Sequence, residues 1–206
     1  MAAAAEEAFI QHLRPYVQDE RQRKIEAVLA QRTAHFCVVL EDLFQPHNAS
    51  AALRSCECFG VQNVHIIENH NTFSPNREVD MGSSKWLTLH RYREPDTRNT
   101  GRCYETLRES GYRIFATSLD PESVPLEKVP IEEKFALCFG KEHEGLSEEA
   151  LLEADLKVHI PMFGFTQSFN ISVSVALCLH ELRTRLSHAS IDLALPESEQ
   201  RQLMIK

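Results

Sequence analysis

Residues 36–60 read FCVVLEDLFQPHNASAALRSCECFG, from Phe36 to Gly60. The five apolar residues at 36–40 lack alternation, as in a strand covered on both faces of a parallel sheet. After a polar stretch, Asn48 is a good N-cap for a helix through Ala51, Leu53 and Cys56, and Gly60 sits just past its end. Residues 64–67 are again strand-like.

Working outward, the same alternation continues. Residues 6–32 read as helix, interrupted near Pro15. Beyond a polar loop, strand-like residues 86–92 are followed by a helix near 97–110 that stops at Gly111. A strand at 113–117 leads into an acidic connector at 118–134, then a strand at 135–139 and the turn GKEHEGLS. A helix capped by Ser147, a strand at 156–160, a helix at about 170–187 and a short helix after Pro196 complete the chain. This order predicts an α/β fold with a mostly parallel sheet and helices on both faces. No internal repeat or domain boundary is visible in the residues themselves.

The 206 residues are 43% hydrophobic and 25% charged, ordinary values for a soluble domain with a real core. The start lacks a basic stretch ahead of an apolar one, so no secretory signal is expected. No apolar run approaches the ~20 residues that span a bilayer, so no membrane partner is expected. The six cysteines include no C-x-x-C pair, and several fall in apolar runs. They read as reduced core thiols of a cytoplasmic protein without a metal site. The net charge of −8 speaks against a nucleic-acid partner when taken alone. Residues 120–155 hold eleven acids against three lysines, an excess equal to the whole net charge, so the remainder is neutral in sum and can carry local basic faces. Most of those acids read as a solvated surface.

Ligands in open parallel sheets bind beyond the carboxyl ends of the strands, and three turns lie there. In the first, Asn48 and Arg54 are six residues apart, about 120° on a helical wheel. The plain alternative is a helix cap plus a solvated arginine. In the second, Phe139 to Ser147, Gly140 and Gly145 allow close backbone approach, and Glu142 stands between them as a site carboxylate or a surface glutamate. It lacks the pattern of a phosphate loop, and no G-x-G-x-x-G follows the first strand, so a Rossmann dinucleotide site has no support. The third, Ile160 to Asn170, carries Met162 and three phenylalanines. Being so apolar it is expected out of solvent, either as packed core or as the wall of a ligand pocket that ends in Ser168 and Asn170.

In series, these segments resemble the three motifs of the SpoU (TrmH) family of SPOUT RNA methyltransferases. Motif one is similar to Pro46-His47-Asn48-Ala49-Ser50-Ala51-Ala52-Leu53-Arg54 with Phe59-Gly60. Motif two is similar to Phe139-Gly140-Lys141-Glu142 with Gly145 and Ser147, and motif three to Ile160-Pro161-Met162 with Gln167-Ser168-Phe169-Asn170-Ile171-Ser172-Val173. Gly82-Ser83-Ser84-Lys85-Trp86 resembles a segment typical of the branch acting on tRNA guanosine.

The resemblance implies a homodimeric, cytoplasmic enzyme that 2′-O-methylates a ribose with S-adenosylmethionine, the guanosine at position 18 of the tRNA D-loop being the expected target. It implies an N-terminal helical extension at 1–34 and a methyltransferase domain at 35–190. A deep trefoil knot is implied at about 135–188, followed by a tail at 191–206. By position, Thr117, Gly140, Ile160 and Phe169 match cofactor-contacting places, and Asn48, Arg54, Glu142, Ser168 and Asn170 match catalytic ones. No metal is implied. A guanidinium stays protonated and makes a poor base, which favours electrostatic stabilisation by Arg54, with Asn48 and Glu142 orienting it.

Arg21, Lys24, Arg32 and His47 match RNA-contacting positions, with Arg183 and Arg185 as looser candidates. On a helical wheel Arg21 and Arg32 fall within the apolar stripe of Ile25, Val28 and Leu29, where solvated arginines do not usually lie. An ion pair within or between chains is the alternative for Arg21. The competing functions are a SpoU enzyme acting on rRNA or the tRNA anticodon loop, and a catalytically silent RNA-binding module.

Overall fold

A computed structural model describes residues 2–142 and 144–205. Its helices are α1 (Ala2–Leu13), α2 (Asp19–Leu29), α3 (Pro46–Cys58), α4 (Arg77–Asp80), α5 (Asn99–Glu109), α6 (Glu148–Leu152), α7 (Ile171–His188) and α8 (Glu197–Ile205). The strands are β1 (Phe36–Glu41), β2 (Asn63–Ile67), β3 (Thr88–Tyr92), β4 (Arg113–Thr117), β5 (Val124–Pro125), β6 (Phe135–Phe139) and β7 (Leu156–His159). They form one sheet in the order β3-β2-β1-β6-β4-β7-β5. Every pairing is parallel, including the short β5 that the acidic connector concealed.

The unbroken apolar run of β1 has the cause expected of it. Phe36, Val38 and Leu40 join one core layer with Leu53 of α3 and Leu179 of α7. Cys37 and Val39 join the opposite layer with Leu107 of α5 and Ala150 of α6. A smaller cluster of Leu29, Ala34, Leu195 and Leu203 ties α2 to the last helix. Among the described residues no helix is long and apolar enough to cross a membrane.

Several boundaries differ from the sequence reading. The interruption expected near Pro15 is present, as a 3-10 turn at Arg14–Tyr16 between two helices, but the helical region runs from Ala2 to Leu29 rather than over 6–32. Asn48 is not a cap: α3 starts at Pro46 after Gln45, which places Asn48 inside the first turn. Pro46 sets the start because its missing N–H costs nothing there. Trp86 ends a 3-10 turn, Ser83–Trp86, rather than opening a strand. Ser147 and Asn170 do cap their helices, accepting from Ala150 N and Ser172 N.

β1 pairs with β2 on one side and β6 on the other, with Leu40 opposite both Ile66 and Phe139. The chain leaves β1 in one direction and returns on the other side, which makes the β1/β6 junction the switch point of the sheet. Open parallel sheets bind ligands at such points, beyond the strand ends.

Candidate active site

Beyond β6 the chain turns back at once. Lys141 N donates to Gly145 O at 2.9 Å and Gly145 N to Lys141 O at 3.0 Å. A Cβ on Gly140 would lie 2.1 Å from the carbonyl carbon of Gly145, so only glycine fits. Gly145 itself has φ +73°. This hairpin projects Glu142 toward α3.

There the three motifs meet. Asn48, only 4% exposed, donates from Nδ2 to Glu142 Oε1 at 2.9 Å and to Gln45 Oε1 at 3.0 Å. Asn170 Nδ2 donates to Asn48 Oδ1 at 3.3 Å, while Asn170 Oδ1 accepts from Ser172 N at 2.9 Å. The bonds run in one direction, from the amides of α7 through Asn170 and Asn48 to the carboxylate, which has no proton to give when ionised. Each partner is thereby fixed in orientation.

A cleft of about 270 Å³ opens beside this chain, at the ends of β4, β6 and β7. Thr117, Gly140, Ile160 and Phe169 all line it, as do Glu142 and Ser168. Asn48, Asn170 and Arg54 are outside its lining. Thr117 spends its hydroxyl on Cys138 O at 2.8 Å. The sequence reading missed Leu119, Leu146 and Cys178 in the wall. Leu119 sits in the connector after β4 and had no pattern to single it out. Burial pushes the Cys178 thiol up to about 12, so it stays a neutral wall.

Arg54 is exposed, and its Nη1 meets the Met81 sulfur at 3.1 Å. Neither Asn48 nor Glu142 is bonded to it among the described residues. The Ile160–Asn170 segment also departs from expectation. Met162 and Phe169 line the cleft, but Phe163 and Phe165 are 98% and 109% exposed. Among the described residues nothing covers them.

The proposed RNA contacts divide. Arg21, Lys24 and His47 are exposed. Arg32 is 3% exposed and pairs with Glu57 at 3.1 Å, in a groove that also holds Arg21, Lys24 and Trp86. Desolvation lowers the Arg32 pKa against the raising effect of Glu57. Arg185 donates to Leu126 O and Val129 O, and Arg183 to Gln31 O. Val129 and Gln31 lie just past helical segments, where carbonyls have no partner within the helix, so both arginines tie elements together.

An apolar-walled cleft beside the switch point of a parallel sheet, with a fixed carboxylate and amides at its rim, is the kind of place where α/β proteins hold small ligands. The chain belongs to the SpoU methylase family: the model described as "SpoU rRNA Methylase family" matches residues 35–180. The tRNA (guanosine(18)-2′-O)-methyltransferase of Borreliella burgdorferi is 45% identical over 194 residues, 94% of this chain and 87% of the relative. The crystal structure of the A. aeolicus TrmH/SpoU tRNA modifying enzyme superposes with a TM-score of 0.80 at 27% identity, over 91% of this chain and 94% of the other. An AdoMet-bound rRNA methyltransferase from Sinorhizobium meliloti shares the fold, with a TM-score of 0.65 at 23% identity over 76% of this chain and 58% of the other.

Proposed function

We propose that the protein transfers a methyl group from S-adenosylmethionine to the ribose 2′-oxygen of guanosine 18 in the D-loop of tRNA. The observation that carries this reading is the Glu142–Asn48–Asn170 chain standing at the rim of the cleft, joined by a relative of that name at 45% identity.

The cleft suits the cofactor chemically. Leu119, Leu146, Ile160, Met162 and Phe169 offer apolar walls for a purine, and Glu142 offers a carboxylate to its cationic end. When bound, S-adenosylmethionine supplies an electrophilic methyl on a sulfonium. Thr117, Gly140, Ile160 and Phe169 would hold it.

The chain's own residues would handle the ribose. A 2′-hydroxyl is a very weak acid, so the developing oxyanion needs a fixed positive charge and alignment with the methyl. Arg54 is exposed and its Nη1 rests on the Met81 thioether, which leaves the guanidinium available for that oxyanion or a flanking phosphate. Asn48, Asn170 and Ser168 would orient the sugar, with Glu142 fixing Asn48. Arg21, Lys24 and His47, all exposed, would meet phosphates, while Arg32, enclosed and paired with Glu57, would act by holding α2 in place. Arg183 and Arg185 would act through the packing around Gln31 and Val129.

The remaining features fit the same picture. A homodimer would cover Phe163, Phe165, Val173 and Leu177, all exposed in the single chain. The knot would lie at about 135–188, where the chain passes from β7 near one end of the sheet back to α7 against α3. The units 1–34 and 191–206 would flank the methyltransferase domain, and the enzyme would act in the cytoplasm with its tRNA.

The test is methyl transfer to an unmodified tRNA transcript, followed by mass mapping of the modified ribose. Label at guanosine 18, lost with a 2′-deoxy substitution there, is expected. Label in rRNA or in the anticodon loop would replace the substrate. RNA binding without any transfer would overturn the enzymatic reading.

A further inference from the structure

Glu41 ends β1 at the centre of the sheet, one step beyond the register pair Leu40–Phe139 and so beside Gly140. It is 2% exposed and no ion pair to it is formed among the described residues. A buried carboxylate in that position needs several hydrogen bonds to persist. It has three. Ser147 N donates to Oε2 at 2.8 Å, Ser147 Oγ donates to Oε1 at 2.8 Å, and Thr100 Oγ donates to Oε1 at 2.7 Å. The proton directions are fixed by neighbours. Asn69 Nδ2 donates to the Thr100 oxygen at 2.9 Å, and Ala150 N donates to the Ser147 oxygen at 3.2 Å, which leaves both hydroxyl protons for Glu41.

The arrangement completes a helix cap from outside the helix. A capping box has its third helical residue, Glu or Gln, accept from the N–H of the N-cap residue. Here the N-cap is Ser147 and the third position is Ala150, which has no side-chain acceptor. Glu41, 106 positions earlier in sequence, accepts that N–H instead.

Ser147 also lies two residues past the end of the Gly140–Gly145 hairpin. The segment between is therefore held from the two faces of the sheet. Glu142 is bonded to Asn48 of α3 on one face, and Ser147 to Glu41 on the α5/α6 face. We propose that Glu41 is a positioning residue for the reaction: it fixes the hairpin that carries Gly140 and Glu142, and so sets the cleft wall and the carboxylate. This rests on the methyltransferase reading given above.

The test compares Glu41→Gln, Ser147→Ala and the double variant with the wild-type full-length chain. The readouts are kcat and KM on the tRNA transcript, S-adenosylhomocysteine affinity by calorimetry, and Tm. Glu41→Gln keeps the volume but offers one acceptor oxygen where the carboxylate offers two, so in either amide orientation the Ser147 N–H or the two hydroxyl protons lose their acceptor and the clamp loosens. Expected are a fall in kcat of about 10-fold or more, S-adenosylhomocysteine binding weaker by about 10-fold, and tRNA KM within about 2-fold, as for a misplaced site with its RNA surface intact. Ser147→Ala should lower kcat in the same sense, Ser147→Thr should recover much of it, and the double variant should fall short of additivity.

A folded Glu41→Gln protein with kcat and S-adenosylhomocysteine affinity within about 2-fold of wild type would overturn the proposal. Should that variant fail to fold, Ser147→Ala decides: a lower Tm with unchanged kcat and affinity would make the clamp structural only. A wild-type chain that binds S-adenosylhomocysteine but methylates no tRNA would instead remove the proposed function, and the affinities would still judge Glu41.

Discussion

Asn48 Nδ2 and Glu142 Oε1 are 2.9 Å apart, although the two residues are separated by 94 positions in the chain. The bond joins the first turn of α3 to the hairpin after β6, and Asn170 extends it to the cap of α7. Asn48→Asp replaces the donor by a second carboxylate facing Glu142. With Asn48 nearly buried, two unpaired acceptors cost on the order of 1–3 kcal/mol. A lower Tm that recovers in the double variant Asn48→Asp/Glu142→Gln is expected in thermal unfolding, and methyl transfer should be lost in the single variant.

Arg54 separates stability from chemistry. Its side chain is exposed, so Arg54→Ala should leave stability within about 0.5 kcal/mol of wild type, as for most surface substitutions. Cofactor affinity should also persist, since Arg54 is outside the cleft lining. The single-turnover rate should fall by ~10²-fold or more if the guanidinium stabilises the oxyanion. Arg54→Lys should restore only part of it, because an ammonium lacks the planar fork. A wild-type rate in Arg54→Ala would remove this residue from the mechanism.

Arg21, Lys24 and Arg32 share a groove but not an environment. Neutralising exposed Arg21 or Lys24 should weaken tRNA binding across sequences and lower the salt slope by about one unit, with cofactor affinity unchanged. Arg32→Ala removes a guanidinium that is 3% exposed and paired with Glu57, so its first effect should be a loss on the order of 1–3 kcal/mol in stability. Filter binding over a salt series together with denaturant unfolding distinguishes the two. Insensitivity of RNA affinity both to salt and to Arg21→Ala would make α2 a packing helix.

Acid sensitivity should originate in β2. His65 stacks on His90 at 4.4 Å between ring centroids and has its Nδ1 3.0 Å from the Tyr92 hydroxyl. Burial, and secondarily the charge of His90, lowers the His65 pKa to about 3. The folded state then holds His65 neutral while the unfolded chain takes up a proton below about pH 6.5. Stability from this group is full above that pH and is lost as pH falls from there toward 3, about 2 kcal/mol by pH 5 at ~1.4 kcal/mol per unit. His65→Gln should be less stable at about pH 8 but lose less on acidification from about pH 6.5 to 5. Equal slopes in the two proteins would assign the acid sensitivity elsewhere.

Gly140 is expected to tolerate no side chain. Gly140→Ala sets a methyl 2.1 Å from backbone atoms of Gly145, which cannot move without opening the hairpin. Overpacking of this kind costs about 1–3 kcal/mol or more, and Tm and S-adenosylhomocysteine affinity should fall together. Unchanged affinity would detach the hairpin from the cofactor site.

The layered α/β class was legible in one dimension, because an apolar run such as 36–40 has no other comfortable place than a strand covered twice. Ser147 and Asn170 cap their helices by rules that act between near neighbours, so they too were legible. Asn48, Glu142 and Asn170 stood out as polar residues in turns after strands, but their roles depended on packing. Asn48 read as a cap, yet a proline two residues earlier took over the helix start and a distant carboxylate took its amide. Arg32 and Arg185 stood as RNA-contact candidates, whereas packing enclosed one and distant carbonyls engaged the other. Glu41 showed no local sign at all, because its donors Thr100 and Ser147 lie 59 and 106 positions away and are brought to it by the parallel order of the strands. Local propensity acts through neighbours in sequence, whereas a buried polar group is satisfied by whatever the fold places beside it.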